Sequence, residues 1–248
     1  MRDGQTDILY GINPITEALK VSKRKCFRVV LEGGKINPRL KALMTLVQSK
    51  NILIESLSKE EFKNRKSKVI KSMKEQNLNV LLMFKQESMY WLTGYDTFGF
   101  VFFQSLILRD DGEIILLTRT PDLRQAQNTS NIKNIKIWED KEGSSPSDIL
   151  KDILLDLSLK GKNIGIEYDS YGLTGRNALK LNNSLKDFGN LEDKSELISY
   201  LRIIKSDEEI IYVRKAAELA DNALDAVWKT AKAGVNEGKI LAEMQKVV

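Results

Sequence analysis

Apolar residues in the first 62 positions alternate between helical and strand spacing. The predicted elements are, in order, a helix over 13–22, a strand over 27–33, a helix over 37–51 and a strand over 52–57. Both helices begin at an Asn-Pro pair, in which asparagine caps the first turn and proline supplies a preset backbone angle. Two strands joined by a helix predict a small parallel α/β unit.

A second, longer series of elements begins near Lys59. The predicted elements are a helix over 59–77, strands over 79–84, 135–139 and 163–169, a β-hairpin over 99–118, helices over 145–161 and 174–186, and a return segment over 190–198. Asp111 and Gly112 predict the hairpin turn because they lie between two runs of strand-forming residues. Helices interleaved with strands and one antiparallel hairpin indicate a mixed sheet covered by helices.

The last part of the chain predicts two helices. Ser206 and Glu209 form a capping box, which satisfies backbone N–H groups at a helix start. Apolar residues then recur at spacings of three and four on one face, here named the apolar stripe: Ile210, Val213, Ala217, Ala220, Leu224, Val227 and Ala231. Gly234 ends this helix, and Asn236 caps a further helix predicted to run on to Val248. Because little sequence remains to cover the stripe, we expect exposed apolar surface on residues 210–248 and self-association through residues 201–248.

Composition excludes several kinds of chemistry. The chain has no histidine, which excludes Ser-His-Asp and Cys-His catalysis and most zinc hydrolase sites. Cys26 is the only cysteine, so no internal disulfide is possible and a reducing cytoplasm is the expected location. The N-terminal residues lack the apolar core of a signal peptide. The longest apolar run, over 98–108, is too short to span a bilayer, and we expect no membrane partner.

Positive charge is concentrated near the N-terminus. The formal net charge is +5, and residues 1–62 hold 11 Lys and Arg against 7 Asp and Glu. One stretch without an acidic residue carries Lys20, Lys23, Arg24, Lys25 and Arg28. Such a stretch can contact the phosphates of a nucleic acid. From charge alone, a solvated loop between a helix and a strand is the simpler interpretation.

The same region resembles a known family. The sequences LYGINPITEAL (9–19) and VVLEGGKINPRLKALMTLVQSKNILIESLSKEEF (29–62) resemble the substrate-binding domain of SpoU/TrmH-type RNA ribose 2′-O-methyltransferases. The resemblance implies an L30e-like α/β module that helps to recruit structured RNA such as rRNA. It makes Lys20, Lys23, Arg24, Lys25 and Arg28 candidate phosphate contacts. The knotted domain that binds S-adenosylmethionine in that family does not follow in this sequence.

A second resemblance covers residues 60–248. Its segments are EEFKNRKSKVIKSMKEQNLNVLLMF, SMYWLTGYDTFGF, GIEYDSYGLTG, LRIIKSDEEIIYVRKAAELAD and AGVNEGKILAEM. They occur in the order found in creatinase/aminopeptidase P/prolidase (M24) metallopeptidases, which implies a creatinase-type N-terminal domain followed by the first helix of a pita-bread catalytic domain. In that family two divalent metals, Mn or similar, are held by two Asp, one His and two Glu that lie further along than this chain extends. We therefore expect no catalytic residue, metal or other cofactor in this chain.

An aromatic segment is the candidate contact region for a substrate. Tyr90, Trp91, Tyr95 and Phe98 lie within MYWLTGYDTFGF (89–100) and are interpreted most simply as a core cluster. The M24 resemblance implies instead that Tyr95, Asp96 and Phe98 lie near the active-site entrance of a partner subunit.

Two acidic groups are interpreted structurally. Asp110, Asp111 and Glu113 belong to the hairpin turn, where acidic residues are common for backbone reasons rather than for metal binding. Glu167 and Asp169 share one face of a strand, and we expect them at a solvated strand end.

The sequence thus predicts an α/β protein in three parts. Residues 1–58 form the RNA-methyltransferase-like module, residues 59–200 the creatinase-type N-terminal domain with a mixed β-sheet, and residues 201–248 the first helices of an incomplete pita-bread domain. The predicted function is binding without catalysis, with structured RNA and protein as partners. Two alternatives stay open: an incomplete sequence of an active Xaa-Pro-type metalloaminopeptidase or related amidohydrolase, and a recombined gene without a selected function.

Overall fold

The computed structural model describes residues 12–21, 26, 28–30, 38–50, 52–55 and 59–247. The chain divides into two compact units, Met1–Arg65 and Lys66–Val248, and each is described by itself. The division falls within α3 (Lys59–Glu75), the third helix of the chain.

The first unit is a small α/β module. Its elements in chain order are α1 (Ile12–Val21), β1 (Arg28–Val30), α2 (Pro38–Ser49) and β2 (Leu53–Glu55). The two strands pair in parallel, with Val29 opposite Ile54, as the sequence predicts. The buried core side chains are Leu19, Val29, Leu43 and Val47.

The second unit is built on a six-stranded mixed sheet. Its strands are β3 (Val80–Met83), β4 (Ser105–Arg109), β5 (Ile114–Arg119), β6 (Asn134–Trp138), β7 (Asn163–Ile166) and β8 (Asn190–Asp193). They lie in the order β6-β5-β4-β3-β7-β8. β4 is antiparallel to both neighbours, and the other pairs are parallel. The predicted mixed sheet and the turn at Asp111 and Gly112 are confirmed.

Helices cover both faces of this sheet. They are the later part of α3, which buries Val69 and Met73, together with α4 (Gln86–Thr93), α5 (Thr120–Thr129), α6 (Pro146–Asp156), α7 (Gly175–Ser184) and α8 (Leu197–Ile203). Val80 and Leu82 of β3 enter one hydrophobic cluster, whereas Leu81 and Met83 enter the other. All four are buried because a central strand of an α/β sheet has a core on each side.

Four segments differ from the prediction, and one of them is α8, which lies where only a return segment over 190–198 is predicted. Residues Phe98–Val101 form a 3₁₀ turn, so the first strand of the hairpin begins only at Ser105. The helices α4, α5 and α8 are absent from the prediction. In α4 the aromatic residues favour a strand by propensity, but Gly94, with φ of 79°, ends a helix in the left-handed conformation. In α5 the proline in the first turn is a helix-start signal that the sequence does carry.

Two helices end the chain, α9 (Asp207–Thr230) and α10 (Glu237–Gln245). The predicted capping box is confirmed: the Glu209 N–H donates to Ser206 Oγ at 3.2 Å, and the Ser206 N–H donates to Glu209 Oε2 at 2.8 Å. Trp91 Nε1 donates a hydrogen bond to Glu209 Oε1 at 2.9 Å, and this bond links α4 to the first turn of α9. α10 ends at Gln245 rather than continuing, and Val248 itself lies outside the described residues.

The predicted apolar exposure of these helices is present. Every residue of α9 and α10, both of which the structure describes in full, is exposed or half-buried. Within the described ranges, no helix combines the length and the apolar character that crossing a membrane requires.

Candidate functional site

The segment before β4, residues 97–104, lies at the edge where the parallel strands end. Ser105 pairs with Leu117 near the end of β5, and Leu106 pairs with Met83, the last residue of β3. Open α/β sheets bind their ligands at this carboxyl edge. We call residues 97–104 the aromatic loop because it carries Phe98, Phe100, Phe102 and Phe103.

Hydrogen bonds hold the aromatic loop from its buried side. The Thr97 hydroxyl accepts the N–H of Gly99 at 2.9 Å and donates to Asp122 Oδ1 at 3.0 Å. The other oxygen of Asp122 accepts two bonds from Arg119, one from Nε at 3.1 Å and one from Nη2 at 3.0 Å. Arg119 ends β5 and Asp122 lies in the first turn of α5, so two regular elements fix the conformation of the loop.

Gly99 leaves no room for a side chain inside the aromatic loop. A Cβ at this position would lie 2.4 Å from Asp122 Oδ1 and 2.5 Å from Gln104 Nε2. Gln104 is itself fixed, because Nε2 donates to the Gly99 carbonyl at 2.7 Å and Oε1 accepts the Tyr95 hydroxyl at 2.6 Å. Burial raises the pKa of Tyr95, which keeps its hydroxyl protonated as the donor.

The outer side of the aromatic loop is apolar. Phe98 is 89% exposed, and Phe100 and Phe102 are 41% and 43% exposed. Phe100 packs edge-to-face on Tyr171, with 6.5 Å between the ring centroids, and the Arg119 guanidinium lies 3.5 Å from the centroid of Phe102. We call Phe98, Phe100, Phe102 and Tyr171 the aromatic surface. An exposed aromatic patch on a fixed scaffold is typical of an interaction site.

The structure separates the residues of the predicted entrance region. Tyr95 and Trp91 are buried in the core, whereas Tyr90 and Phe98 are exposed, so the interpretation of all four as one core cluster is wrong for the latter two. Asp96 is exposed, and its N–H donates to Thr129 Oγ1 at 3.1 Å. Phe98 therefore belongs to the aromatic surface, and Tyr95 supports it from below.

Sequence reasoning misses three residues of this surface. Phe100 and Phe102 lie in an apolar segment whose composition predicts a strand, so the sequence does not mark them as surface residues. Thr97, two residues before Gly99, is a signal for a hydroxyl-stabilised turn that would have interrupted this strand. Tyr171 comes from the loop after β7, and no local pattern links it to Phe100.

Glu167 is the second feature of this edge, and its predicted position at a solvated strand end is wrong. Its side chain is fully buried: Glu167 follows β7 directly, its N–H donates to the Leu82 carbonyl at 3.0 Å, and its carboxylate contacts the start of α4. Oε2 accepts the N–H groups of Phe84 and Lys85, each at 3.0 Å, and Oε1 accepts the Ser88 hydroxyl at 2.6 Å. Desolvation raises the pKa of Glu167 from 4.5 to about 7, although the three hydrogen bonds oppose this shift.

Lys85 and Ser195 continue this polar network. Lys85 Nζ donates to the Ser195 carbonyl at 3.1 Å and lies 3.4 Å from Asp169 Oδ2. Ser195 Oγ donates to Asp193 Oδ1 and accepts the N–H groups of Tyr168 and Asp169 at 3.0 and 3.1 Å. The bonds from Ser195 lower the pKa of Asp193. Because the Ser195 hydroxyl makes three hydrogen bonds, it stabilises the ends of β7 and β8 rather than serving as a nucleophile.

The acidic residues of the hairpin turn form ion pairs and hydrogen bonds with neighbouring side chains. Arg109 Nη2 lies 3.0 Å from Asp111 Oδ2, and Arg109 Nη1 lies 2.8 Å from Glu113 Oε2. Asn79 Nδ2 donates a hydrogen bond to Asp110 Oδ2 at 3.2 Å. Among the residues that the structure describes, no group of three or more His, Cys, Asp or Glu side chains is placed to hold a metal ion. The donor set of the M24 two-metal centre includes an imidazole, so the residues of this chain do not fit it.

The candidate RNA contacts lie mostly outside the described residues. Lys20 is exposed and pairs with Glu17 at 3.1 Å. Lys23, Arg24 and Lys25 lie outside the described residues, as does the side chain of Arg28, whose backbone belongs to β1. The RNA-contact residues therefore stay a prediction.

Family comparisons match both parts of the chain. The creatinase/prolidase N-terminal domain matches residues 65–204, which is more than half of the sequence. The RNA 2′-O ribose methyltransferase substrate-binding domain matches residues 8–66. The mixed six-stranded sheet together with the first match defines a creatinase-type N-terminal domain. The chain belongs to the creatinase/prolidase N-terminal domain family.

Individual relatives are hydrolases that are longer than this chain. The chain is 27% identical over 184 residues to an Xaa-Pro dipeptidase of Pyrococcus furiosus, a match covering 74% of this chain and 47% of the relative. It is 26% identical over 197 residues to the ectoine hydrolase of Halomonas elongata, covering 77% of this chain and 49% of that relative. The chain thus spans about half the length of the curated relatives it matches.

A solved structure supports the fold. The prolidase of Thermococcus sibiricus superposes on this chain with a TM-score of 0.64 at 22% identity. The superposition covers 78% of this chain and 50% of the prolidase. At this identity the likeness concerns the architecture of the mixed sheet and the helices around it.

Proposed function

We propose that residues 59–200 act as the non-catalytic N-terminal domain of an Xaa-Pro-peptidase-like protein, and that the aromatic surface contacts its peptide substrate. The exposed aromatic surface, held by buried polar bonds, carries this proposal. A surface that keeps its shape without a ligand loses little conformational entropy on binding. The relatives include an Xaa-Pro dipeptidase, and proline rings pack well on aromatic side chains. In this proposal the chain binds the peptide without hydrolysing it, since the M24 resemblance assigns hydrolysis in that family to a separate metal-binding catalytic domain.

We expect the chain to bind a proline-containing dipeptide weakly and to leave it intact. Phe98→Ala should weaken binding about fivefold, since one aromatic contact contributes about 1 kcal/mol. Chemical-shift changes of the backbone amides of residues 97–104 during peptide titration measure the affinity. Tyr200→Ala is the matched control, because Tyr200 is also exposed but lies outside the aromatic surface. Equal loss in both variants, or release of free proline after addition of Mn²⁺, would contradict the proposal.

The length comparison favours an alternative, in which this sequence is part of an active Xaa-Pro-type metallopeptidase or related amidohydrolase. The chain spans about half the length of a dipeptidase and of an ectoine hydrolase. In this alternative, Asp, Asp, His, Glu and Glu ligands encoded after Val248 hold the two divalent metals. The downstream nucleotide sequence distinguishes the two: an open frame encoding these ligands supports the peptidase, and a stop codon supports the non-catalytic protein.

We further propose that residues 1–58 bind structured RNA through the basic stretch that contains Lys20, Lys23, Arg24, Lys25 and Arg28. The match of residues 8–66 to an RNA methyltransferase substrate-binding domain supports this second function. The stretch over 20–28 also has no acidic residue to repel phosphate groups.

Reversing two of these charges should separate RNA binding from general charge effects. Lys23→Glu combined with Arg24→Glu should weaken binding to an rRNA fragment at low salt by at least about tenfold, because phosphate contacts dominate such affinities. Lys180→Glu with Lys186→Glu makes the same charge change in the second unit and should have little effect. Fluorescence anisotropy of labelled RNA gives both affinities. Absence of binding at low salt, or equal effects of the two pairs, would remove the RNA function.

A further inference from the structure

Helix α3 is the most basic helix that the structure describes. Its 17 residues include 7 Lys and Arg against 3 Glu, and the resulting net charge of +4 compares with +5 for the whole chain. In contrast, α6, α9 and α10 each contain more acidic than basic residues. Positive charge among the described helices is therefore concentrated on α3, and a surface of this kind attracts polyanions.

Three exposed lysines of the second unit share one side of α3. They are Lys68, Lys71 and Lys74, here named the lysine face. Their spacing of three residues places them within two turns of the helix, opposite the buried side chains of Val69 and Met73. Because Val69 and Met73 pack in the core of the second unit, the same packing directs the lysine face toward solvent.

Acidic side chains do not neutralise the lysine face. In the part of the chain that the structure describes, Lys68 and Lys74 have no acidic partner. Lys71 Nζ lies 3.8 Å from Glu75 Oε1, but these two side chains are 79% and 64% exposed. An ion pair as exposed as this one is weak, so a phosphate group can replace the carboxylate beside Lys71.

We infer that the lysine face binds phosphate groups of structured RNA, so that the second unit contributes RNA contacts of its own. The inference rests on the proposed RNA function of residues 1–58 and deepens it. The creatinase/prolidase N-terminal match begins at residue 65, so the lysine face lies in that domain and beyond the match to the RNA-binding module.

The position of the lysine face favours RNA as its partner. The match to the RNA 2′-O ribose methyltransferase substrate-binding domain ends at residue 66 and so includes the first two turns of α3. The lysine face begins two residues later on the same helix. Because the RNA-binding match and the lysine face share one helix, RNA recruited by the first unit is the polyanion available to these lysines.

Uncharged polar side chains complete this side of α3. Asn64 and Ser67 are exposed and precede Lys68 and Lys71 by four residues each, so they lie beside the lysine face. An amide and a hydroxyl can hydrogen-bond phosphate oxygens and the ribose 2′-hydroxyl, and structured RNA is recognised largely through these two groups. This combination suits the sugar-phosphate backbone of RNA rather than a particular base sequence.

Fluorescence anisotropy of a labelled rRNA fragment with the 248-residue chain tests this inference. Neutralising the lysine face with Lys68→Gln, Lys71→Gln and Lys74→Gln should weaken binding at low salt at least about tenfold. The slope of log affinity against log salt concentration should become shallower by about 2, because each lost phosphate contact removes about 0.7 to 0.9. Glutamine is a good helix former and all three positions are exposed, so the helical circular dichroism should not change.

A matched variant controls for the loss of positive charge. Lys160→Gln, Lys180→Gln and Lys186→Gln remove three exposed lysines elsewhere in the second unit and should leave the affinity and the slope close to those of the wild type. Lysine acylation followed by mass spectrometry locates the contact in the wild-type complex. RNA should protect the lysine face from the reagent and leave the three control lysines reactive.

The outcomes separate this inference from the RNA function on which it rests. Absence of RNA binding by the wild-type chain removes both. The inference alone is overturned if binding depends on Lys23 and Arg24 but the two glutamine variants bind equally well, or if the lysine face stays reactive in the complex. Sedimentation with phosphatidylserine vesicles gives the last comparison. Loss of vesicle binding in the lysine-face variant, with RNA binding unchanged, would assign this face to an anionic membrane instead.

Discussion

Replacing Glu167 with alanine is expected to lower the free energy of unfolding of the second unit by about 3 to 5 kcal/mol. The carboxylate is the shared acceptor for the N–H groups of Phe84 and Lys85 and for the Ser88 hydroxyl. Alanine leaves these buried donors without their acceptor, at about 1 to 3 kcal/mol for each unsatisfied group. It also opens a cavity between the end of β7 and the start of α4.

Urea unfolding followed by circular dichroism measures this loss. Glu167→Gln is the conservative control, because its amide oxygen still accepts the two backbone N–H groups and its NH₂ can donate to Ser88. Near pH 5 it should cost about 1 kcal/mol or less. Asp169→Ala removes a neighbouring carboxylate whose side chain is 82% exposed and should also have a small effect. An alanine variant as stable as Asp169→Ala would show that Glu167 does not hold these elements together.

Glu167 also shows what the sequence cannot supply. Alternation of side chains along the predicted strand over 163–169 puts Glu167 and Asp169 on one face, and the sequence predicts the same solvated position for both. In the structure their environments differ, because the donors to Glu167 come from residues about 80 positions earlier in the chain. A contact between distant segments leaves no periodic or spacing signal near either residue, so its burial could not be predicted.

The conformation of the aromatic loop could not be predicted from the sequence, for a related reason. Strand propensity over residues 98–103 is strong, but the buried Asp122 of a later helix holds Thr97 and leaves no space beside Gly99. The resulting 3₁₀ turn directs Phe98 outward. Strand propensity depends on residues adjacent in the chain. The conformation of this turn depends instead on Asp122, a side chain from another element.

The features that could be predicted are local. The capping box at Ser206 and Glu209 closes within three residues, and the apolar stripe that follows depends only on the helical repeat. The turn at Asp111 and Gly112 likewise depends on adjacent residues. For this reason the order of the strands and the exposure of α9 follow from the sequence, while the helices α4, α5 and α8 and the polar interior of the candidate site do not.

Between about pH 5 and about pH 7.5, the free energy of unfolding of the wild-type chain should fall by about 2.5 kcal/mol as the pH rises. Burial raises the pKa of Glu167 from 4.5 to about 7, so in this interval the folded chain holds a proton that the unfolded chain releases. This contribution is complete below the unfolded pKa and is lost as the pH rises through the folded pKa. The chain has no histidine, so no imidazole titrates in the interval. The pKa values of Asp148 and Asp193 are lowered from 3.8. Their contributions to the free energy of unfolding have the opposite pH dependence and change only below this interval.

Glu167→Gln isolates this effect, because the amide does not titrate. Urea unfolding of both proteins across the interval should show a difference in stability that shifts in favour of the glutamine variant by about 2.5 kcal/mol as the pH rises. Near pH 5 the protonated wild-type carboxyl resembles the amide, and the two proteins should be similar. Above pH 7 the wild-type protein must bury a charge that the variant lacks, and desolvation of that charge outweighs its three hydrogen bonds. Two parallel stability curves would mean that these donors hold Glu167 ionised throughout and that they, rather than burial, set its pKa.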